Sequence, residues 1–323
     1  MEKRKLGPLS VAAMGYGCMG LSGTYGASDE KAGIALLRSL VDLGIDFFDT
    51  ADAYGPYRNE ELVGEALRPL RDKVIIATKF GQEFLADGSR RINGHPDYVQ
   101  KACEASLKRL GIDCIDLYFA HRIDKSVPIE DTVGAMSRLV AQGKVKHIGL
   151  SEASAATIRR GHAVHPIAAV QTEYSVWSRD VESSVLPTLR ELKIGFVAYS
   201  PLGRGFLTGK VMTESDLAEG DVRKMMPRFQ GDNLANNKAL AERMIEIAKK
   251  KGVTPAQLAL AWVLARGDEI VPIPGSRRLE AVKENIAALD VKLSTAELDE
   301  IESNVPSVHG DRYGAPMMAT LDM

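Results

Sequence analysis

Cysteine is scarce in this chain. The three present, Cys18, Cys103 and Cys114, form no CxxC pair and are odd in number, so neither a disulfide framework nor a zinc ribbon is expected. The six histidines include no HExxH, and no metal site is expected. No apolar run approaches the about 18 residues needed to span a bilayer, so no membrane association is expected. An excess of one charge sign is also missing. Lys+Arg is 41 against 43 for Asp+Glu, which leaves no basic surplus for a polyanion and argues against a nucleic-acid partner. The opening MEKRKLGPLS carries basic residues with no apolar stretch behind them, so no secretory leader is read and the cytoplasm is the expected compartment.

What is present is an ordinary folded composition, 45% hydrophobic and 26% charged, which excludes disorder as a description of the whole. Short apolar runs alternate with amphipathic stretches through the chain. The runs are Ser10–Gly15, Ile45–Thr50, Val74–Lys79, Ile115–His121, Val145–Ser151, Ala168–Tyr174, Ile194–Ser200 and Ile270–Pro274. Helical patterns lie between them, among them Glu30–Leu43, Asp97–Leu110 (stopped by Gly111), Ile129–Ala141 and Lys238–Lys250. Alternation of this kind implies parallel strands joined by crossover helices. Eight strands, apolar on both faces, fit a (β/α)8 TIM barrel spanning 1–323 as one domain. A short N-terminal hairpin turning at Gly7-Pro8 is expected to close its floor, and helices after the last strand form a C-terminal extension. The polar stretch Leu202–Leu234 is long for a loop and is read as functional or mobile.

Barrel chemistry sits at the C-terminal ends of strands. Those ends carry Asp49 with Tyr54 in the following loop, then Lys79, His121, Ser151 with Glu152, Gln171, Tyr199 with Ser200, and Gly275 with Ser276. Strand alternation places Lys79 on the face of Ile75 and Ala77, and His121 on that of Leu117 and Phe119. A desolvated lysine there seeks a carboxylate, and Asp49 on the adjacent strand can supply it. A phenol beside an ammonium has its anion favoured, so the Tyr54 pKa is expected to fall and the residue to serve as a proton donor. Singly, a strand-end Lys or Asp is more often a cap or ion-pair residue; four on neighbouring strand ends favour catalysis. Glu60-Glu61 as a glycosidase pair is set aside, because acidic residues suit a helix start.

Gly15-Tyr16-Gly17-Cys18-Met19-Gly20 matches GxGxxG. A Rossmann fingerprint requires a helix opening at those glycines, whereas LSGTYGA follows, so the segment is read as a loop over the barrel mouth. Phosphate binding is placed instead at Pro274–Arg278, where a helix start and two arginines favour an anion, and at Gly203-Arg204-Gly205. Two such contacts suggest a dinucleotide, with Tyr199 able to stack on a nicotinamide. Solvated basic turns are the plainer alternative.

These segments resemble the aldo-keto reductase family, specifically a bacterial and plant branch of broad-range carbonyl reductases. The resemblance rests on FDTADAYG (48–55), IATKFG (76–81), LYFAH (117–121), IGLS (148–151), QTEYS (171–175), AYSPLGRGFLTG (198–209) and PIPGSRRLEAVKEN (272–285), in family order. It implies NADP(H)-dependent reduction of a small-molecule carbonyl substrate. Tyr54 is then the general acid, Lys79 its partner, Asp49 the anchor of Lys79, and His121 the orienter of the carbonyl. The resemblance also assigns cofactor contacts. Gly17, Cys18, Met19 and Asp49 lie at the nicotinamide ribose, Ser151 and Gln171 at the carboxamide, and Tyr199 on the ring. Ser200, Pro201, Leu202, Gly203 and Arg204 line the pyrophosphate; Gly275, Ser276, Arg277, Glu284 and Asn285 hold the adenosine end with its 2′-phosphate. Two positions depart from the family pattern: Glu152 stands where many members have Asn, and Ala281 where some have Arg. Tyr25, Trp177 and the Gly203–Leu234 segment are expected to shape the substrate pocket. Two other readings stand beside this one, a dinucleotide-binding regulatory subunit with slow turnover and a Schiff-base lyase or isomerase using Lys79. The sequence names neither the substrate nor the oligomeric state.

Overall fold

The computed structural model describes residues 1–322. Lys3–Leu6 (β1) and Leu9–Ala12 (β2) pair antiparallel across the Gly7-Pro8 turn. Leu6, Leu9 and Val11 bury in one cluster with Phe47, Ala77, Leu117, Phe119, Ala169, Val197, Val271 and Ile273. The hairpin therefore plugs the floor of a barrel, as expected. Its approach is close: a Cβ on Gly195 would stand 2.4 Å from the Leu6 Cα, so that wall position has no room for a side chain.

The wall consists of Tyr16–Gly17 (β3), Phe47–Asp49 (β4), Ile75–Phe80 (β5), Ile115–Ala120 (β8), Val145–Ser151 (β9), Ile167–Glu173 (β10), Gly195–Tyr199 (β11) and Ile270–Pro272 (β12). A small hairpin, Gln82–Phe84 (β6) and Arg90–Ile92 (β7), rises after β5. The eight wall strands pair in parallel in the order β3-β4-β5-β8-β9-β10-β11-β12. Gly15 N–H donates to the Pro272 carbonyl at 3.0 Å and brings the two ends together. The first wall strand differs from the expectation. Residues 10–12 of the run Ser10–Gly15 belong to the floor hairpin, and the wall begins only at Tyr16. Apolarity marked that run as buried but could not say against which layer.

The helices follow their local signals. The Asp29 side chain caps Glu30–Asp42, and Gly111 ends Pro96–Leu110 at φ 65°. Leu202–Leu234 is only partly loop: it folds into four short 3-10 turns, and a long helix already begins at Gly231. The C-terminal extension is helical at Thr295–Asn304 and Ala315–Met318, with an irregular segment between them. No helix among the described residues is long and apolar enough to cross a membrane.

The barrel interior explains the height of the site. The inward residues Phe47, Ala77, Phe119, Ala169 and Val197 are fully buried and apolar. Two residues further along each strand come Asp49, Lys79, His121, Gln171 and Tyr199. Gly149 is followed in the same way by Ser151, and its own Cβ would meet the Phe119 ring at 2.4 Å. Chain alternation alone thus stacks a polar layer directly on the apolar floor.

Candidate functional site

Lys79 is fully buried, and its Nζ donates to three oxygens: Asp49 Oδ1 at 2.5 Å, the Thr50 carbonyl at 2.8 Å and the Tyr54 hydroxyl at 3.1 Å. Asp49 also accepts from Gln171 Nε2 at 2.7 Å through its other oxygen. Every donor of the ammonium therefore has a partner, the condition under which a buried charge is tolerated. Burial opposes the lysine charge, but Asp49 and Tyr54 outweigh it and hold the ammonium above its ordinary pKa. Burial raises the Asp49 carboxyl, against the pull of Lys79 and Gln171. The Tyr54 phenol departs from the expectation. Lys79 does lower it, but burial and the Asp49 charge outweigh that effect, and the phenol stands above its ordinary value. Tyr54 is held protonated, a donor kept loaded rather than one already acidified.

His121 packs edge-on to Tyr54, with ring centroids 5.7 Å apart. Burial, with Arg122 and Lys79 adding to it, pushes the imidazole well below its ordinary pKa, so the ring is neutral. Its Nδ1 and the Ser151 hydroxyl are buried without hydrogen-bond partners. Buried polar atoms are ordinarily satisfied, so two orphans on adjacent strand ends mark places where a ligand is received. The Gln171 amide nitrogen is committed to Asp49, which leaves its carbonyl oxygen for that ligand.

Across the mouth, a second network is built from residues that sequence reasoning largely missed. Glu152, buried at φ 55°, accepts from the Tyr199 hydroxyl at 2.8 Å, the Glu173 amide at 3.1 Å and Arg312 Nη1 at 3.3 Å. It is a hub for neighbouring side chains rather than a stand-in for an amide donor. Tyr199 also meets the Tyr313 hydroxyl at 2.8 Å. Glu173, the inward residue above Gln171, pairs with Arg204 at 3.1 Å and Arg228 at 3.3 Å. Burial opposes its ionisation, but the surrounding Arg204, Arg312 and Arg228 outweigh it and hold the carboxyl below its ordinary value. Arg312 and Tyr313 come from the irregular part of the C-terminal extension. An arginine and an aromatic inside GDRYGA were the only sequence signal of it.

The expected phosphate-binding residues are placed unevenly. Arg204 turns inward to Glu173 and Tyr313 rather than toward an open trough, which leaves the backbone of Ser200–Arg204 at the end of β11. Tyr16 donates to the Ser276 carbonyl at 2.7 Å and ties Pro274–Arg278 to the barrel rim. Arg277 is exposed, but its guanidinium donates to the carbonyls of Tyr25 (3.2 Å), Gly26 (3.4 Å) and Ala27. Asn285 is buried and Glu284 half-buried in the helix that follows. Gly17 ends β3, and Cys18 and Met19 open a 3-10 turn, with Cys18 buried; the true helix waits until Glu30, so the GxGxxG segment does not open a Rossmann helix. Of the pocket residues, Tyr25 bridges to Asp221 and lies under Arg223. Trp177 stacks on Phe206 at 4.7 Å and is buried, so it braces the 203–234 segment rather than standing open to ligand. No group of three or more His, Cys, Asp or Glu among the described residues could hold a metal ion.

Known proteins resemble the chain over nearly its whole length. The model of the aldo/keto reductase family matches residues 13–305. The chain is 52% identical over 307 residues to a Glycine max protein called probable aldo-keto reductase 1, covering 94% of this chain and 88% of that one. Among solved structures, a glycerol dehydrogenase from Gluconobacter oxydans superimposes with a TM-score of 0.85 at 26% identity, covering 97% of this chain and 99% of the other. An aldo-keto reductase from Klebsiella pneumoniae, crystallised with NADPH, matches at a TM-score of 0.73 and 28% identity over 97% and 99% of the two chains.

Proposed function

The chain belongs to the aldo/keto reductase family, and from that premise we propose that it reduces aldehydes and ketones to alcohols with NADPH, Tyr54 acting as general acid. The observation that carries this reading is the Asp49–Lys79–Tyr54 chain of contacts at 2.5 and 3.1 Å on the apolar barrel floor. Tyr54 gives its phenolic proton to the carbonyl oxygen. The Lys79 ammonium then stabilises the phenolate left behind, in a buried setting where that interaction is strong. Asp49 holds Lys79 on the donor, and Gln171 holds Asp49. Neutral His121 keeps one N–H for the carbonyl oxygen and orients it, and a neutral ring places no second proton in competition with Tyr54.

The residues present fit the cofactor at its reactive end. The Ser151 hydroxyl and the Gln171 carbonyl oxygen would hold the carboxamide. The backbone of Ser200–Arg204 would line the pyrophosphate, and Gly275, Ser276, Arg277, Glu284 and Asn285 the adenosine end. A reduced nicotinamide held there would supply the hydride that the carbonyl carbon needs. The test is NADPH oxidation at 340 nm with 4-nitrobenzaldehyde. Wild type is expected to turn over, and Tyr54→Phe to lose at least about a hundredfold in kcat. Cofactor binding without turnover in either protein overturns the reading in favour of a dinucleotide-binding subunit.

A further inference from the structure

The mouth of the barrel holds an unbalanced set of buried charges. Four guanidinium groups lie there with little exposure, those of Arg122, Arg204, Arg228 and Arg312. The buried carboxylates among them are Glu152 and Glu173. Glu173 is shared by Arg204 and Arg228, and Glu152 takes Arg312. Arg122 is left over. It is 8% exposed, and no carboxylate of the described residues lies within ion-pair distance of it. Its one hydrogen bond is from Nη1 to the His121 carbonyl at 2.7 Å. A guanidinium carries five N–H donors; Nε and Nη2 of this one have no protein acceptor and are not among the fully enclosed orphan atoms, so they stay open to a ligand. Its surroundings include Tyr199, Tyr313, Glu152 and Tyr54, of which Glu152 is the carboxylate and is already paired with Arg312. Together these groups outweigh the cost of burial and hold the guanidinium above its ordinary pKa, so an arriving anion meets a standing positive charge.

Position decides which anion. Arg122 directly follows His121, and its Nη1 reaches back to the His121 backbone, beside the ring that packs on Tyr54. The proposed phosphate loops follow β11 and β12, with β9 and β10 lying between them and the strand that carries Arg122. A planar guanidinium fork matches a carboxylate through two parallel N–H donors. We infer that Arg122 seats a carboxylate of the substrate, so that the preferred carbonyl compounds are aldehydes or ketones that also carry a carboxylate. The inference rests on the reductase reading and adds the substrate class to it.

Two matched pairs test it with NADPH and the intact protein: 4-carboxybenzaldehyde against methyl 4-formylbenzoate, and succinic semialdehyde against methyl 4-oxobutanoate. Wild type is expected to favour the acid of at least one pair by tenfold or more in kcat/KM, chiefly through KM. Arg122→Met should cut that acid-to-ester ratio at least tenfold, and Arg122→Lys should keep part of it. NADPH affinity, followed by quenching of tryptophan fluorescence, should change far less than the KM of the acid. Equal kcat/KM for acid and ester in both pairs overturns the inference, as does a ratio unchanged by Arg122→Met. A loss of NADPH affinity as large as the loss for the acid reassigns the anion to the cofactor phosphates and overturns it too. Failure of every carbonyl compound to turn over sinks the reductase reading instead. The seat is then judged by melting temperature: benzoate must stabilise wild type more than neutral benzamide does, and Arg122→Met must erase the difference. If Arg122→Met does not fold, the wild-type acid and ester comparison decides alone.

Discussion

The two sides of the barrel mouth are built differently. On the side of β4, β5 and β8, the polar groups come from strand ends and one adjoining loop, and every donor of Lys79 is satisfied within that set. On the side of β9, β10 and β11, the strand ends supply Glu152, Glu173 and Tyr199, but their partners arrive from elsewhere in the chain. Arg312 lies 160 residues from Glu152, and Tyr313 lies 109 residues from Arg204. The first side is closed and charge-balanced around one proton donor. The second is crowded with arginine, and Arg122, which follows β8 at the border between the two, is left without a carboxylate. The proposed proton donor is thus held by neighbouring strands, whereas the arginine network across the mouth depends on a segment folded back from the C-terminus.

The sharpest break between the two sides is kinetic. Tyr54→Phe is expected to lose at least about a hundredfold in kcat. Lys79→Met should lower kcat by a similar order while shifting NADPH affinity far less, because its contacts are to Asp49, Thr50 and Tyr54. Stopped-flow turnover beside a fluorescence titration measures both, and equal losses in rate and affinity contradict the assigned role. On the other side the largest effect falls on stability. Arg312→Met removes the ion-pair partner of buried Glu152, leaving it the Tyr199 hydroxyl and the Glu173 amide, and should cost about 3 kcal/mol in a urea titration. The exposed pair Arg159–Glu191, at 45% and 60% side-chain exposure, is the control, and Arg159→Met should stay within about 0.5 kcal/mol. Equal costs at the two pairs remove the distinction between a buried network and a surface one.

Titration separates the sides on a smaller scale. His121 is buried neutral, with its pKa pushed well below the ordinary 6.5 by burial, Arg122 and Lys79. The unfolded chain therefore binds a proton at His121 that the folded chain refuses, once pH drops below about 6.5. Stability should fall with decreasing pH there, by up to about 1.4 kcal/mol per pH unit from this residue. It should be independent of this residue above the unfolded value. In a series of urea titrations from pH 7.5 to 5.5, His121→Gln should show a shallower acid slope than wild type. Identical slopes place the imidazole in water rather than in the barrel.

The strands, and Asp49, Lys79 and His121 around Tyr54, were legible because both follow from alternation. An apolar run that ends in Lys79, or one that ends in His121, says which face is inward and at what height the charge stands. The same logic failed at Ser10–Gly15, where apolarity could not distinguish floor from wall. It also misjudged the Tyr54 pKa: a neighbouring ammonium is visible in sequence, whereas the extent of desolvation depends on packing from several elements. Glu152 was flagged as a departure from the family pattern, but its role as a hub needed Arg312, and no local pattern announces a contact across so much chain. Arg122 is the clearest instance. In sequence it is one arginine after a histidine; only the folded arrangement shows that the carboxylates around it are already taken by others.

The smallest expected effect concerns Arg277, at the rim where both sides meet the adenosine end. Its guanidinium donates to three backbone carbonyls of the Tyr25–Ala27 loop, so it already has a structural task. It is also exposed, where charge-assisted contacts are screened and individually weak. Under the assignment to the 2′-phosphate, the side chain must exchange carbonyl oxygens for phosphate oxygens, and the net gain is small because good acceptors are given up. Arg277→Ala is therefore expected to weaken NADPH by only about threefold, with NADH changing less, in parallel fluorescence titrations at low salt. A preference that shrinks further as salt is added fits an exposed contact to phosphate. Equal losses for the two cofactors make Arg277 a clasp on the loop, and the phosphate contact then passes to Ser276 and Arg278 at the start of the following helix.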